Sequence, residues 1–195
     1  MIRIDKEIKQ YGNTHKVPIT LDDTLCFLCQ TIDKYNCKSI LEIGTAIGFG
    51  SITMATNTSL EHIDTVELDD ERYNLAVDNV AKQGLNGKIT IYHMDAMNYI
   101  QQCDKKYDLI YLDGPKGQYI NYLPYLKKLM HKGSVLVADN LNFHGMVTGE
   151  IPVSRGCRAM IKGLHRYIDA ITTDTELDTA IHTDLGDGVG VSILK

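Results

Sequence analysis

The sequence predicts an α/β fold built around a mainly parallel sheet. Three observations carry that reading. Short β-rich runs alternate with helical ones from residue 38 onward, two neighbouring runs lead into the acidic segments 112–116 and 138–140, and the chain closes on two β-like runs joined by Asp184-Leu185-Gly186-Asp187-Gly188. Strands alternating with helices at this spacing mean βαβ units. An antiparallel hairpin closing a parallel sheet is common in large α/β sheets.

The elements follow in order. Residues up to about 36 read as a helical segment, in which Thr20-x-x-Asp23 resembles a capping box and the apolar residues of 21–32 recur at helical spacing. Ser39–Ile43 reads as the first strand, and a Gly-rich turn leads into a helix from about Phe49. His62–Glu67 is the second strand; Asp69 or Asp70 can cap a helix through Lys82, with Tyr73, Leu75, Ala76, Val80 and Ala81 largely on one side. Residues 88–93 form a third strand, followed by a short helix near Ala96–Gln102. Tyr107–Leu112 and residues 134–138 are the fourth and fifth strands, and 118–131 between them has apolar residues at helical intervals. Residues 175–183 and Val189–Leu194 form the closing hairpin. No linker divides the chain, so a single domain over 1–195 is expected.

Composition narrows the function classes. Twenty Lys and Arg against twenty-five Asp and Glu give a net charge of −5, which argues against wholesale wrapping of nucleic acid but permits a local basic patch. Five cysteines fit no disulfide framework, and Cys26-x-x-Cys29 lies in a helical stretch with no second pair to complete a zinc site. Residues 1–10 lack the apolar stretch of a signal peptide and no run approaches a membrane span, so a cytoplasmic location is expected.

Two segments carry chemistry. Leu112-Asp113-Gly114-Pro115-Lys116 and Ala138-Asp139-Asn140 each stand at the end of a strand. Neighbouring strands lie about 4.8 Å apart, so Asp113, Asp139 and Asn140 could hold one hard cation, Mg²⁺ or Mn²⁺ rather than zinc. A nucleotide end is also legible. Glu42-Ile43-Gly44-Thr45-Ala46-Ile47-Gly48 follows the first strand, and its E-x-G-x-x-x-G spacing, with Ala46 where a dinucleotide binder has glycine, disfavours a pyrophosphate cradle and hence an NAD-dependent dehydrogenase. Glu67, twenty-three residues after Gly44, is placed to accept both hydroxyls of a ribose, and Asp95-Ala96 could read an adenine edge. A glycine turn alone is an ordinary strand-to-helix connection; with Glu67 and Asp95 it points to adenosine.

Here the chain resembles a family. LEIGTAIGFG, DTVELDDERY, DAMNYI, YDLIYLDGPKGQY, GSVLVADNLNFHG and GDGVGVSI are similar to the class I, Rossmann-like S-adenosylmethionine (SAM) methyltransferases, specifically the metal-dependent O-methyltransferases of the catechol and caffeoyl-CoA type. The resemblance covers about residue 17 to the end and implies a mainly parallel seven-stranded sheet with the C-terminal hairpin antiparallel and helices on both faces. Within that family VPI (17–19), EIGTAIG, the basic C-terminal helix and the GDG hairpin resemble the bacterial tRNA 5-hydroxyuridine methyltransferases. The resemblance places Thr20, Gly50, Glu67, Asp95, Ala96 and Asp113 at SAM-contacting positions, beside the turn residues Glu42, Gly44 and Gly48. Gly50 stands where the family usually has serine, so its contact is lost or taken by Ser51. Asn142 replaces a usual leucine. A homodimer is implied as well.

The reaction follows from this chemistry. Methyl transfer needs a nucleophilic oxygen aligned behind the methyl carbon, and alignment alone can supply roughly 7–11 kcal/mol. Catechol offers two adjacent oxygens to a cation, and so do O4 and O5 of 5-hydroxyuridine. Lys116 is the candidate general base by the family's D-x-x-K spacing, against its ordinary reading as a surface lysine; His144 reads as a loop residue. Arg155, Arg158, Lys162 and Arg166 follow helical spacing and form one stripe, by default a solvated face. Beside the resemblance it becomes a candidate contact for a tRNA anticodon loop. The expected activity is wobble 5-hydroxyuridine methylation; the alternatives are a small-molecule catechol or caffeoyl-CoA-type O-methyltransferase and a non-catalytic SAM- or RNA-binding module.

Overall fold

The structure, a computed structural model, describes residues 2–195; the first residue of the expected domain and helical segment lies outside them. The chain divides into two compact units, one ending at Tyr99 and the other spanning Ile100–Lys195.

The first unit contains α1 (Lys6–His15), α2 (Asp22–Lys34), β1 (Ser39–Ile43), α3 (Phe49–Asn57), β2 (His62–Glu67), α4 (Asp70–Lys82) and β3 (Ile89–His93), with α5 (Ala96–Gln102) running past its end. Its strands lie in the order β3-β2-β1, all parallel. Helices α1 and α4 start on aspartate caps. Asp5 accepts from the backbone N–H of Glu7 and Ile8, and Asp69 accepts from that of Arg72 at 2.9 Å. The N-cap position falls one residue later than the expected capping box Thr20-x-x-Asp23 would put it: Leu21 holds it without a side-chain bond of its own. Asp22 and Asp23 instead place their charges in the first turn, against the positive end of the helix dipole. A missing cap costs about 1 kcal/mol, whereas each fully buried Leu or Ile contributes about 1.5–3 kcal/mol. Leu25, Leu28 and Ile32 are all buried, so packing decides that α2 forms. Cys29 lies in this packed face, where burial, with the nearby charges of Asp33 and Cys26, pushes its thiol up to about 12.

The second unit contains β4 (Tyr107–Leu112), a 3₁₀ turn (Lys116–Gln118), α6 (Tyr119–Lys128), β5 (Met130–Ala138), a second 3₁₀ turn (Arg155–Cys157), α7 (Arg158–Thr173), β6 (Leu177–His182) and β7 (Val189–Leu194). The strand order is β4-β5-β7-β6; β4 and β5 are parallel, while β7 runs antiparallel to both β5 and β6. The seven strands are thus mainly parallel with an antiparallel C-terminal hairpin, as the sequence predicts.

One expectation fails at its end. Helix was predicted over 118–131, but α6 stops at Lys128 and Met130 already pairs with Tyr107. Lys106 explains the change: its Nζ donates to the carbonyls of Lys128 (2.6 Å) and Met130 (3.0 Å), satisfying outside a helix the acceptors a helix end leaves open. The apolar spacing of Leu126, Leu129 and Met130 suits a helix face and a strand start equally. No described helix is long and apolar enough to cross a membrane.

Candidate active site

In the first unit the turn after β1 is built from backbone. Gly44 (φ 106°), Ala46 (φ 48°) and Gly48 (φ 81°) all take the left-handed region, and the N–H groups of Gly44 and Thr45 both donate to the carbonyl of Val66. Ala46 pays a steric cost there that glycine would not, and Glu67 offsets it: Oε2 accepts the Ala46 N–H at 2.8 Å. Oε1 of the same carboxylate accepts from the N–H of Leu68 and of Asp69, each at 3.0 Å. A carboxylate offers about four acceptor positions, so three are committed to backbone and one is left for a ligand hydroxyl. By this count one acceptor position stands open, against the two ribose hydroxyls expected of Glu67. An open cleft of about 620 Å³ runs along Glu67, Leu68, Asp69, Asp70, Glu71 and Arg72, with the Leu68 side chain exposed on it.

Beneath this turn Glu42 is buried, and its Oε2 accepts from the hydroxyls of Ser51 and of Thr65 (2.6 Å). Thr65 is the residue paired with Glu42 across β1 and β2, which is why the two side chains share a face. Ser51 is fully buried and its hydroxyl is spent on Glu42, so it does not stand in for the serine that Gly50 replaces. Gly50 has its own reason: a Cβ there would lie 2.6 Å from Glu42 Oε1 and 3.6 Å from Thr20 Oγ1. Thr20, Glu42, Gly50 and Ser51 are thus brought together. Asp95 caps α5, its Oδ1 accepting from Asn98 N–H at 3.2 Å, and Ala96 is the first residue of that helix.

In the second unit the two strand-end segments meet as the sequence predicts. Leu112 pairs with Ala138 in the parallel ladder, and the next residue's N–H, that of Asp139, donates to the Leu112 carbonyl at 3.0 Å. Asp113 and Asp139 emerge at the same end, and the hydroxyl of Tyr111 reaches both, 3.0 Å from Asp139 Oδ2 and 3.3 Å from Asp113 Oδ2. Lys116 Nζ lies 2.5 Å from Asp113 Oδ1 and 5.5 Å from the Tyr119 ring centroid. Burial, followed by the neighbouring Asp113 charge, pushes the Asp139 carboxyl up to about 6, although Lys116, the Asn140 N–H and Tyr111 pull the other way. Burial, then the two carboxylates, also pushes the Tyr119 phenol well above its usual value; its hydroxyl donates to the Leu112 carbonyl at 2.9 Å.

Asn140 adopts φ 59° directly after Asp139. Among the described residues no third Asp, Glu, His or Cys joins Asp113 and Asp139. The donor set is two carboxylates with an adjacent amide, all oxygen, and it fits a hard cation. Two carboxylates sharing one hydroxyl also repel each other, which a cation between them relieves.

Of the basic stripe, Arg158, Lys162 and Arg166 lie on α7, while Arg155 falls in the preceding 3₁₀ turn rather than on the helix. All four are exposed, and among the described residues none forms an ion pair or side-chain hydrogen bond. Their helix packs tightly on the turn that carries Lys116: a Cβ on Gly163 would lie 3.2 Å from the Gly117 carbonyl oxygen. Tyr111 and Asp187 escaped the sequence reading. Tyr111 stands two residues before Asp113 and so shares its face of the strand; that period was the available signal. Asp187, in the β6–β7 turn, gave none beyond its place in the GDG motif.

The family profile described as O-methyltransferase matches residues 4–194. Catechol O-methyltransferase of Niastella koreensis is 27% identical over 180 residues, covering 88% of this chain and 77% of that protein. A crystal structure from Staphylococcus aureus, assigned as a caffeoyl-CoA O-methyltransferase, superposes with a TM-score of 0.91 at 28% identity over 97% of this chain and 91% of that one. The Bacillus cereus O-methyltransferase in complex with SAH superposes at 0.82 with 21% identity over 97% and 90%, a likeness of fold.

Proposed function

The chain belongs to the O-methyltransferase family, and we propose that it moves the methyl group of SAM onto an ionisable hydroxyl that neighbours a second oxygen, as in the catechol and caffeoyl-CoA type. One observation carries the reading: at the ends of two paired strands Asp113 and Asp139 share the Tyr111 hydroxyl, and Lys116 Nζ lies 2.5 Å from Asp113 Oδ1. The glycine turn 44–48, Glu67, and Asp95 with Ala96 would hold the donor, with Glu67 accepting from its ribose. Thr20 and Gly50 border that turn. SAM supplies a methyl group on a sulfonium, ready for displacement.

Asp113, Asp139 and Asn140 hold the divalent cation, Mg²⁺ or Mn²⁺, which lowers the cost of ionising a nearby hydroxyl. Lys116 would shed its own ammonium proton to solvent before taking the hydroxyl proton at Nζ, and its contact with Asp113 keeps that nitrogen beside the site. Tyr111 orients the two carboxylates. Burial of Asp139 and Tyr119 keeps water from the inner side of the cluster, where each charge interaction is stronger than in bulk water.

The acceptor class has two readings. The names of relatives favour a small catechol-like molecule. The exposed basic residues Arg155, Arg158, Lys162 and Arg166, without an ion pair among the described residues, favour 5-hydroxyuridine in a tRNA anticodon loop. A homodimer, which sedimentation would test, would present two such stripes. The deciding experiment incubates the protein with SAM and Mg²⁺, with or without EDTA, offering a catechol, a caffeoyl thioester or tRNA bearing 5-hydroxyuridine, and identifies products by mass spectrometry. Methyl transfer that EDTA abolishes supports the proposal, and no transfer to any of the three acceptors refutes it. Transfer to tRNA that falls on replacing Arg158, Lys162 and Arg166 by Ala selects the tRNA reading; transfer to catechol alone selects the other.

A further inference from the structure

We infer that Asp187, in the turn between β6 and β7, is a positioning residue for the acceptor side of the site: it anchors the loop that carries Asn140. The inference rests on the cation-assisted reading above and assigns a role to a residue that touches neither the proposed ligands' carboxylates nor the general base.

The loop after β5 is conformationally expensive. Asn140 (φ 59°), Phe143 (φ 43°) and His144 (φ 56°) are non-glycine residues in the left-handed region, followed by Gly145 at φ 80°. Phe143 has no local hydrogen-bonding side chain to favour that conformation. Such a run persists only where surrounding contacts over-determine it.

The contacts come from one turn. The Leu141 N–H donates to the Gly188 carbonyl and the Asn142 N–H to the Asp187 carbonyl, both at 2.8 Å. The His144 N–H then donates to the Asp187 carboxylate, 2.8 Å from Oδ1 and 3.0 Å from Oδ2. A backbone N–H aimed at an ionised carboxylate is among the stronger hydrogen bonds, and the Asp187 side chain is only 14% exposed. His144 Nδ1 stands 3.6 Å from Oδ2 as well, but its ring is 73% exposed, so the backbone contact is the anchor.

Close approach fixes the junction. Gly188, at φ 85°, has no room for a side chain: a Cβ would lie 2.8 Å from the Asn142 nitrogen and 3.0 Å from its Cβ. Gly190 is similar, its Cβ position lying 2.6 Å from Leu141 Cδ1. The Gly186-Asp187-Gly188 turn therefore works as a clasp. Its glycines let the hairpin approach the backbone of 141–142, and its carboxylate holds the backbone at 144. Asn140 lies between this clasped segment and the fixed end of β5, so its left-handed backbone is set from both sides.

The test uses Asp187→Leu, which removes the acceptor, and Asp187→Asn, which retains one acceptor oxygen without charge. The readouts are amide hydrogen exchange over 140–148, Mn²⁺ affinity by electron paramagnetic resonance, and SAM affinity by calorimetry. Removing a residue that orients a metal ligand typically weakens metal binding about 10–100-fold. Asp187→Leu is expected to weaken Mn²⁺ binding by about tenfold or more, to accelerate exchange in 140–148, and to leave SAM affinity unchanged, with Asp187→Asn between it and the parent. Unchanged exchange and unchanged Mn²⁺ affinity in Asp187→Leu overturn the inference; if that variant does not fold, the same two results in Asp187→Asn do so. If the unaltered protein binds no Mn²⁺, the cation reading fails by itself, and unchanged exchange over 140–148 in the variants still overturns the clasp.

Discussion

Gly50→Ala, and Gly50→Ser which installs the residue the family resemblance leads one to expect, should both destabilise this protein. The added Cβ would sit 2.6 Å from Glu42 Oε1, well inside van der Waals contact. Glu42 has no cheap retreat, because it is 1% exposed and its Oε2 holds the hydroxyls of Ser51 and Thr65. Two responses are open. The backbone of α3 shifts, an overpacking cost of about 1–3 kcal/mol, or the carboxylate swings and gives up a charge-assisted hydrogen bond worth about 1.5–3 kcal/mol. The cheaper response wins, so the expected loss is about 1–3 kcal/mol and not the sum. For a chain of this length each kcal/mol lowers Tm by about 2–4 °C, giving a fall of roughly 2–12 °C. Thermal unfolding followed by circular dichroism measures it. In a Glu42→Asp background the carboxylate withdraws by one methylene and the Gly50→Ala penalty should shrink, a coupling that a double-mutant cycle reads directly. A Gly50→Ala variant melting within about 1 °C of the parent, or a penalty unchanged in the Glu42→Asp background, would refute the steric reasoning.

Other outcomes follow from the same geometry. Lys116→Met should lower kcat by about 10²–10⁴, the usual worth of a general base, with SAM affinity unchanged by calorimetry; a kcat within twofold of the parent would remove Lys116 from the mechanism. Tyr111→Phe strips two carboxylates of their shared donor and should cost about 1.5–3 kcal/mol in urea unfolding without divalent cation, a deficit that saturating Mg²⁺ should narrow. The hydrogen bond from Lys127 lowers the Asp174 carboxyl below its usual value. A depressed carboxylate contributes stability above its unfolded pKa of about 3.9 and loses it as pH falls through the lower folded value. Lys127→Met should therefore be less stable than the parent by about 1 kcal/mol at pH 7, with the difference fading as pH falls below about 4. Equal urea midpoints at pH 7 would contradict it.

The sequence made legible whatever a strand end announces. β4 and β5 were found from apolar runs, and once they are parallel and adjacent, Asp113 and Asp139 must emerge together; the Leu112–Ala138 pairing does so. Glu67 and Asp95 were placed by the same logic. Reading which atoms satisfy those side chains was beyond it, because that depends on backbone direction at one residue. Nothing in the string says that the Ala46 N–H points at Glu67, or that three of four acceptor positions there are taken. Ser51 was assigned to the cofactor from its neighbourhood, yet its hydroxyl turns inward to Glu42 because helix α3 presents that face to β1. The α6 boundary failed for a related reason, since Lys106, more than twenty residues earlier than Lys128, closes the helix end.

The carboxylates of the site fall into two kinds, and the difference assigns their work. Glu42 and Glu67 are satisfied by hydroxyls and backbone N–H groups, which fix their orientation and leave little charge unanswered. A carboxylate so held shapes a turn and offers a ligand one well-aimed acceptor. Asp113 and Asp139 are held differently: one phenol hydroxyl serves both, one ammonium sits against the first, and a single backbone N–H, that of Asn140, donates to the second. Two neighbouring carboxylates that share a donor repel each other, and proteins retain such pairs where a cation or a reacting group relieves the repulsion. Substitutions at Glu42, Gly50 and Ser51 should therefore appear first in stability, and those at Glu67 in donor affinity. Those at Asp113, Lys116 and Asp139 should appear in kcat, and removing the charge of Asp139 can even stabilise the cation-depleted protein while abolishing turnover. A stability gain joined to a loss of chemistry at Asp139→Asn is what separates a charge kept for reaction from one kept for folding.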